Sequence, residues 1–285
     1  MSIADLRKDY HSRICREVIR LRRDGETEYP NFADKGNSSS REIALGVVQR
    51  IGCASSYEHL SGQTAGRLFE VITKDFLESG FGLLHHLRPG RWHYSIQTPI
   101  SDFDQYKHLG TLARIVEQIS TLASSLGADY IIKPDIVIGR RPVSDEEVNR
   151  DGSVMDAANT IADLTPLRET NAENGCLILH ASISCKWTIR SDRSQNARAE
   201  ALNLIRNRKG NLPHIIAVTA EPLPTRIASL ALGTGDLDCV YHFALPELSA
   251  AIRELDNKDQ MDMLKTLVEG RRLRDISDLP FDLAI

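Results

Sequence analysis

Cysteine pairs, long apolar runs and an excess of basic charge are all missing from this sequence of 285 residues. Without a CxxC pair, the five cysteines form no paired-thiolate motif, and we predict reduced thiols with neither disulfides nor zinc. No run reaches the roughly 18 to 20 apolar residues of a membrane span. Segment 1–25 is charged throughout and has no signal-peptide core, which predicts a cytoplasmic protein. The net charge of −4 excludes a uniformly basic protein that coats nucleic acid.

Several common catalytic motifs are also missing. The sequence has no GKS or GKT phosphate loop and no GxSxG nucleophile elbow. The stretch GTGDLD at 233–238 lacks the third glycine of a dinucleotide-binding loop. His85 and His86 are adjacent, so on a helix they point about 100° apart and make a poor metal pair. Acidic and basic side chains therefore remain as the candidates for chemistry.

The residues that are present predict a globular α/β protein. Hydrophobic residues make up 41% of the chain and charged residues 26%. Helical spacing predicts helices over 3–22, 41–52, 62–80, 105–127 and 191–210, and a helical C-terminal third. β-rich runs predict strands over 92–100, 129–142, 176–189, 214–220 and 238–245. We therefore predict one domain, residues 1–285, with a central mixed β-sheet flanked by helices and a polar insertion at about 141–175.

Two local features refine this prediction. Segment 26–40 is polar and rich in serine, which predicts a loop that ends in helix caps. Pro134 interrupts the run 129–142 and favours an edge strand or a kink. The run 176–189 is the strongest strand of the chain, and it leads directly into helix 191–210.

The end of the strongest strand carries the residues that point to chemistry. Many metal-dependent nucleases end such a strand with an acid, any residue and a lysine, whereas here Ser184 stands in the acid's place before Lys186. Neighbouring strands lie about 4.8 Å apart, so a strand beside it can bring Asp135 to the same end of the sheet. Glu200 can fold back from the following helix into the space left by the serine, and Glu70 is a further candidate carboxylate. The plainer alternatives are a turn carboxylate beside a proline for Asp135 and an exposed strand-end lysine for Lys186.

Basic residues cluster just after that strand. Between 186 and 209 the chain carries seven basic residues and two acids, a pattern found on solvated helix faces and on phosphate-facing surfaces. Within it, RSDR at 190–193 holds two arginines around an aspartate. Arginine can donate two hydrogen bonds to guanine, and aspartate can accept one from cytosine N4. This stretch therefore has the side chains to read a G·C-rich site, and the alternative is a helix N-cap with incidental arginines.

Four elements together resemble the NgoMIV-type family of type II restriction endonucleases, which read CCGG-centred sites: KPD at 133–135, SCK at 184–186, RSDR at 190–193 and Glu200. The resemblance covers essentially the full chain and implies a restriction-endonuclease-like core. It implies that Asp135 and Glu200 bind Mg²⁺, two ions per active site, and that Lys186 orients or activates the attacking water. It further implies that Ser184 fills the vacated acid position and that Glu70 supports the site.

The same resemblance implies how DNA is read and cut. The residues that match the family's element for the CCGG core are Arg190, Ser191, Asp192 and Arg193. Those that match its contacts to the outer base pairs are Asp34, Gln63 and Arg226. The implied reaction is cleavage of double-stranded DNA at GCCGGC-like sites to leave 5′ CCGG overhangs. The implied assembly is a homotetramer that engages two DNA sites.

The residues alone leave other functions open. One is a structure-specific repair or recombination nuclease on the same core, and another is a DNA-binding module with a decayed site. The complete set of Asp135, Lys186 and Glu200 weighs against decay. Lys186 lies 51 positions after Asp135, whereas the resemblance implies a shorter spacing, so either this chain has a longer insertion or the assignment of Asp135 to the metal is less secure than that of Lys186.

Overall fold

The computed structural model describes residues 1–119, 131–156, 162–169, 175–189, 191–233 and 235–285. Within helix 191–207 the side chains of residues 191–195 are not described. The predicted helix 105–127 therefore lies partly outside the described residues, as do parts of the predicted insertion.

Eight strands are found in these ranges: β1 (Leu21–Asp24), β2 (Thr27–Pro30), β3 (Trp92–Ile96), β4 (Ile136–Arg140), β5 (Ile178–Lys186), β6 (His214–Thr219), β7 (Cys239–His242) and β8 (Leu273–Asp275). β1 and β2 form an antiparallel hairpin. The other six form one sheet in the order β3-β4-β5-β6-β7-β8. β3 and β4 are antiparallel, whereas β6, β7 and β8 run parallel, so the sheet is mixed as predicted.

Helices in the described ranges flank this sheet, which confirms the predicted fold class. They are α1 (Ile3–Glu17), α2 (Ser38–Ile51), α3 (Gly62–Leu83), α4 (Lys107–Gln118), α5 (Asp145–Val148), α6 (Ser191–Asn207), α7 (Pro224–Ala231), α8 (Leu245–Glu254), α9 (Lys258–Glu269) and α10 (Leu279–Asp282). Polar caps begin several of them, including Asn37 before α2 and Ser61 before α3.

The chain divides into two compact units, and the first comprises residues 1–88, 183–201 and 215–285. In this unit α1 packs on α3, with the Tyr10 hydroxyl 3.2 Å from the Thr73 hydroxyl. Arg7 of α1 forms paired hydrogen bonds of 2.6–3.0 Å with the carboxylates of Glu247 and Asp275. This half-buried cation thereby ties α1 to the start of α8 and the end of β8.

The second unit comprises residues 89–182 and 202–214. Its core includes Phe103 and Tyr106, both fully buried. The Gln105 side chain both donates to and accepts from the Leu179 backbone, at 2.8 and 2.9 Å, which satisfies a buried amide and fixes the start of β5. Gly139 in β4 is required by packing, because a Cβ atom there would lie 3.0 Å from the Phe103 ring.

Several element boundaries differ from the sequence prediction. Helix α1 ends at Glu17, whereas the predicted helix ran to residue 22. The β1–β2 hairpin covers the end of that predicted helix and the start of the predicted loop 26–40. Strand β8 lies in the predicted helical third, and at three residues it is too short for a periodic signal. Pro134 marks neither an edge nor a kink, because it precedes β4, which lies between β3 and β5.

The polar insertion has structure of its own in the residues that are described. Arg168 is only 5% exposed, and its guanidinium donates to Asp145 at 2.7 and 2.8 Å and to Asp163 at 2.6 Å. The backbone of Val143 also exchanges hydrogen bonds with residues 167 and 169. Aperiodic sequence therefore folds here around one buried arginine and its two acids.

The prediction that every cysteine is reduced is wrong for two of the five. Cys15 of α1 and Cys53, which follows α2, form a disulfide with their Cα atoms 5.1 Å apart. Their separation of 38 positions gives no spacing signal, since the pairing depends on how the two helices lie. Cys176, Cys185 and Cys239 form no disulfide. Among the described residues, no helix is long and apolar enough to cross a membrane.

Candidate active site and recognition elements

The end of β5 is buried and anchored by its backbone. Seven of the nine strand residues are buried, and Lys186 at the end is half-buried. The Lys186 carbonyl accepts hydrogen bonds from the Thr219 hydroxyl at 2.8 Å and from the Ala220 N–H at 3.3 Å. These bonds tie the lysine's main chain to the end of β6, so its side chain projects from a fixed point.

An aromatic cluster holds the residue that follows the lysine. Trp187 is 5% exposed, and its ring centroid lies 5.4 Å from that of Phe32, 5.0 Å from that of Phe69 and 6.0 Å from that of Phe243. Because Phe69 belongs to α3, this packing holds the helix that carries Glu70 against the end of β5. Glu70 is half-buried.

Ser184 has an unusual environment for a hydroxyl group. The residue is 8% exposed, and its Oγ has no hydrogen-bond partner among the described residues. A buried hydroxyl without a partner typically costs about 1–3 kcal/mol. The Ser184 hydroxyl is therefore a buried polar atom without a partner among the described residues, two residues before Lys186.

Helix α6 begins shortly after the strand and carries Glu200. Ala197 and Ala201 form its buried face, 2% and 1% exposed, and Glu200 beside them is half-buried. Arg190 lies outside the described residues. Ser191, Asp192 and Arg193 form the first turn of α6, but their side chains are not described. Their base-reading role therefore stays a prediction.

Asp34 and Arg226, predicted to read outer base pairs, are in direct contact. The Arg226 Nη2 group donates a short hydrogen bond to Asp34 Oδ2. The Asp34 backbone N–H donates to the Ser40 hydroxyl at 2.9 Å, which fixes the loop after β2. Gln63, the third residue in that prediction, is exposed in the first turn of α3.

A buried carboxylate that the sequence analysis did not single out lies behind this pair. Glu221 is 1% exposed, and its Oε1 lies 3.9 Å from Arg226 Nη1. Its Oε2 accepts from the Ile189 N–H at 2.9 Å, and Oε1 accepts from the Leu223 N–H at 3.3 Å. Burial raises the pKa of Glu221 to about 7, against the opposing effect of these donors.

In the second unit, Asp135 directly precedes β4 and is half-buried. Its Oδ1 accepts from the Gln97 side-chain amide at 3.3 Å, and its carbonyl accepts from the Gln97 N–H at 3.3 Å. Gln97 has a φ of 54°, a left-handed conformation that few non-glycine residues adopt. Gln97, in the turn after β3, therefore donates to both the side chain and the backbone carbonyl of Asp135.

Gln97 and Glu221 are the two contact residues that the sequence analysis missed. Neither lies in a motif, since each meets its partner from a different strand end. The only available signal was position, because Gln97 lies within the predicted strand 92–100 and Glu221 directly follows the predicted strand 214–220. In the described ranges, no three His, Cys, Asp or Glu side chains form a metal cluster.

Known restriction enzymes resemble this chain along most of its length. The family model described as NgoMIV restriction enzyme matches residues 10–285. The type II restriction enzyme NgoMIV of Neisseria gonorrhoeae is 49% identical over 259 residues, which cover 89% of each chain.

Two solved structures show a weaker likeness. The type IIF restriction endonuclease Bse634I with cognate DNA has a TM-score of 0.37 at 14% identity, over 87% of this chain and 98% of that one. The restriction endonuclease PspGI–substrate DNA complex has a TM-score of 0.36 at 15% identity, over 99% and 92%.

The family model and the 49% identity place the chain among the type II restriction endonucleases, which cut DNA at specific sites. Within that class it belongs to the NgoMIV restriction enzyme family, as the four sequence elements predicted. Its activity is that of a site-specific deoxyribonuclease. Such nucleases generally depend on a divalent metal ion.

Proposed function

We propose that this enzyme cuts double-stranded DNA at GCCGGC-like sites and leaves 5′ CCGG overhangs in a Mg²⁺-dependent reaction. The observation that carries the proposal is the 49% identity over 89% of the chain to a type II restriction enzyme. The elements at 133–135, 184–186 and 190–193 supply the side chains that this reaction needs.

The candidate ligands suit magnesium by their chemistry. We assign Asp135 and Glu200 as metal ligands, because Mg²⁺ prefers oxygen ligands and is usually held by one or two carboxylates. We propose two ions per active site, as the family resemblance implies. The unpartnered hydroxyl of buried Ser184, in the position of the missing acid, supports a polar ligand at this point. When bound, the metal supplies a water of lowered pKa and neutralises charge on the phosphate.

The protein's own residues then position the reactants. Lys186 orients the attacking water and places a positive charge beside the phosphate as negative charge develops there. Its backbone bonds to Thr219 and Ala220 support this role, since a fixed main chain limits where the ammonium group can go. Glu70 supports the site from α3, which Phe69 holds against Trp187.

Recognition is assigned to two groups of side chains. Arg190, Asp192 and Arg193, together with Ser191, read the CCGG core, since arginine pairs with guanine and aspartate with cytosine. The outer base pairs are assigned to Asp34, Gln63 and Arg226. The contact between Asp34 and Arg226 supports this second group, because an acceptor and a donor for one G·C pair lie together.

We also propose how the enzyme is organised. Both compact units serve one nuclease domain over residues 1–285, and four chains assemble to engage two DNA sites. The enzyme acts in the cytoplasm, where the DNA to be cut is found.

Replacing Arg193 with alanine is expected to remove most of the preference for CCGG-containing DNA over a scrambled duplex. Loss of one bidentate guanine contact costs about 1–3 kcal/mol of discrimination. Arg208→Ala is the matched control, because Arg208 follows the end of α6, where its guanidinium donates to the Ile205 carbonyl, and any DNA contact it makes is expected to be with phosphate. It should weaken binding to all sequences alike and flatten the salt dependence.

Competition binding in Ca²⁺, which commonly permits binding without cleavage, measures both effects. The two duplexes should have equal length and base composition, so that phosphate contacts cancel in the ratio. If Arg193→Ala keeps the full specificity ratio, the stretch at 190–193 is a helix cap and the assignment fails.

A further inference from the structure

Glu221 lies at a junction of the elements assigned to chemistry and to recognition. It follows β6 by two residues, and its N–H donates to the Thr219 hydroxyl at 3.1 Å. That hydroxyl in turn donates to the Lys186 carbonyl. The turn that carries Glu221 therefore also holds the main chain of the proposed catalytic lysine.

The carboxylate of Glu221 reaches the recognition elements in two directions. Oε2 accepts from the N–H of Ile189, the residue immediately before the stretch at 190–193. Oε1 faces Arg226 at 3.9 Å, and Arg226 is bonded on its other side to Asp34. One buried side chain thus contacts both segments that are assigned to read the DNA.

Burial disfavours the ionised form of the Glu221 carboxylate. An ionised carboxylate out of water is strongly disfavoured without partners, and the Arg226 contact is longer than a hydrogen bond. Arg226 lies between two acids, Glu221 and Asp34, and these two contacts limit where its guanidinium can go. A side chain held in place before binding loses less conformational entropy when it reads a base.

We propose that Glu221 is a positioning residue for sequence recognition, which holds Arg226 for the outer base pair and fixes the backbone that leads into 190–193. This inference rests on the proposed function. It extends that function, because it links outer-base reading to the strand end that carries Lys186.

Among the described side chains, Arg226 of α7 and Asp34 of the loop after β2 carry charges that act on the Glu221 carboxylate, and His242 of β7 lies near the Glu221 backbone. Burial lowers the pKa of His242 to about 4, so that ring stays neutral near pH 7. The pKa of Glu221 is raised to about 7. As the pH rises from 6 to 8, Glu221 therefore becomes ionised. Arg226 then faces two carboxylates, Asp34 and Glu221, where at pH 6 it faced mainly Asp34.

The test compares Glu221→Gln with wild type on three duplexes: GCCGGC, ACCGGT with the outer pair exchanged, and GCGCGC with the core changed. The glutamine oxygen can still accept from Ile189, but the charge that faces Arg226 is lost. We expect the preference for GCCGGC over ACCGGT to fall about tenfold, while the preference over GCGCGC is largely kept. Competition binding in Ca²⁺ gives both ratios without cleavage.

Glu247→Gln is the matched control, because it also removes a carboxylate charge that faces an arginine, in this case Arg7. It should leave both ratios unchanged even where it lowers thermal stability. Glu221→Gln should still unfold in one cooperative transition, although its melting temperature falls somewhat because the glutamine NH2 group faces the Leu223 N–H. Loss of outer discrimination with an intact melting transition supports positioning.

The pH profile gives a readout that a merely structural role would not change. In wild type, discrimination at the outer pair should fall from pH 8 to pH 6, whereas in Glu221→Gln it should stay low at both. An unchanged outer ratio in Glu221→Gln, or a flat wild-type profile, would overturn the inference. A wild-type protein with no preference for GCCGGC would instead contradict the proposed function, and the inference with it.

Discussion

Lys186→Ala is expected to cut DNA at least about 10²–10³-fold more slowly than wild type while it binds GCCGGC duplexes with nearly unchanged specificity. The loss follows from removing a positive charge that acts beside the phosphate as negative charge develops. Binding should persist because the backbone bonds of residue 186 and the packing of Trp187 do not use the lysine side chain. Plasmid cleavage with Mg²⁺ and duplex binding with Ca²⁺ measure the two properties separately.

Lys265→Ala provides the control for charge and side-chain length. Lys265 is 67% exposed on α9, where it pairs with Glu269 at 3.8 Å, and such surface pairs contribute little. This variant should cut and bind as wild type does. Wild-type cleavage by Lys186→Ala would show that the lysine only ends the strand and has no part in the chemistry.

The second large effect concerns the displaced acid. Glu200→Ala is expected to be inactive, because it removes one of two assigned metal ligands. Adding Ser184→Glu to that variant places an acid two positions before Lys186, where many metal-dependent nucleases carry one. We expect the double variant to recover part of the cleavage, because a carboxylate at 184 can take over as a ligand.

The burial of Ser184 makes this test sharper. A glutamate in that buried position is destabilising unless a cation pairs with it. The double variant should therefore melt at a higher temperature with Mg²⁺ than without it, by more than wild type does. Glu269→Ala, an exposed helical acid on α9, serves as the control and should behave as wild type. Near-normal cleavage by Glu200→Ala alone would mean that the helix acid is not a ligand.

The main helices and strands followed from local pattern, because long amphipathic or buried segments carry enough periodicity. α3 and β5 are examples, with eight buried residues spaced along the helix and a continuous buried run in the strand. The hairpin β1–β2 was missed although Asp24-Gly25 is a turn signal, and Gly25 has a φ of +61°. Its strands have four residues each, and only β2 has buried residues, Tyr29 and Pro30 at its end, so the two strands are too short for an apolar pattern.

The site residues that could be named from sequence were those in motifs. The candidates Lys186 and Glu200 stand at recognisable spacings, whereas Glu221 and Gln97 were missed because they contact residues far away along the chain. The disulfide between Cys15 and Cys53 could not be predicted for the same reason. Pairings of this kind depend on tertiary packing, which local sequence does not encode.

The measurement that tests the central claim most directly is digestion of a plasmid of known sequence, followed by sequencing of the fragment ends. With Mg²⁺ we expect discrete fragments whose 5′ ends all begin with CCGG and whose junctions all lie in GCCGGC-like sites. Without a divalent metal the plasmid should stay intact. Random ends, ends at DNA branches or nicks, or binding without cleavage would contradict the account.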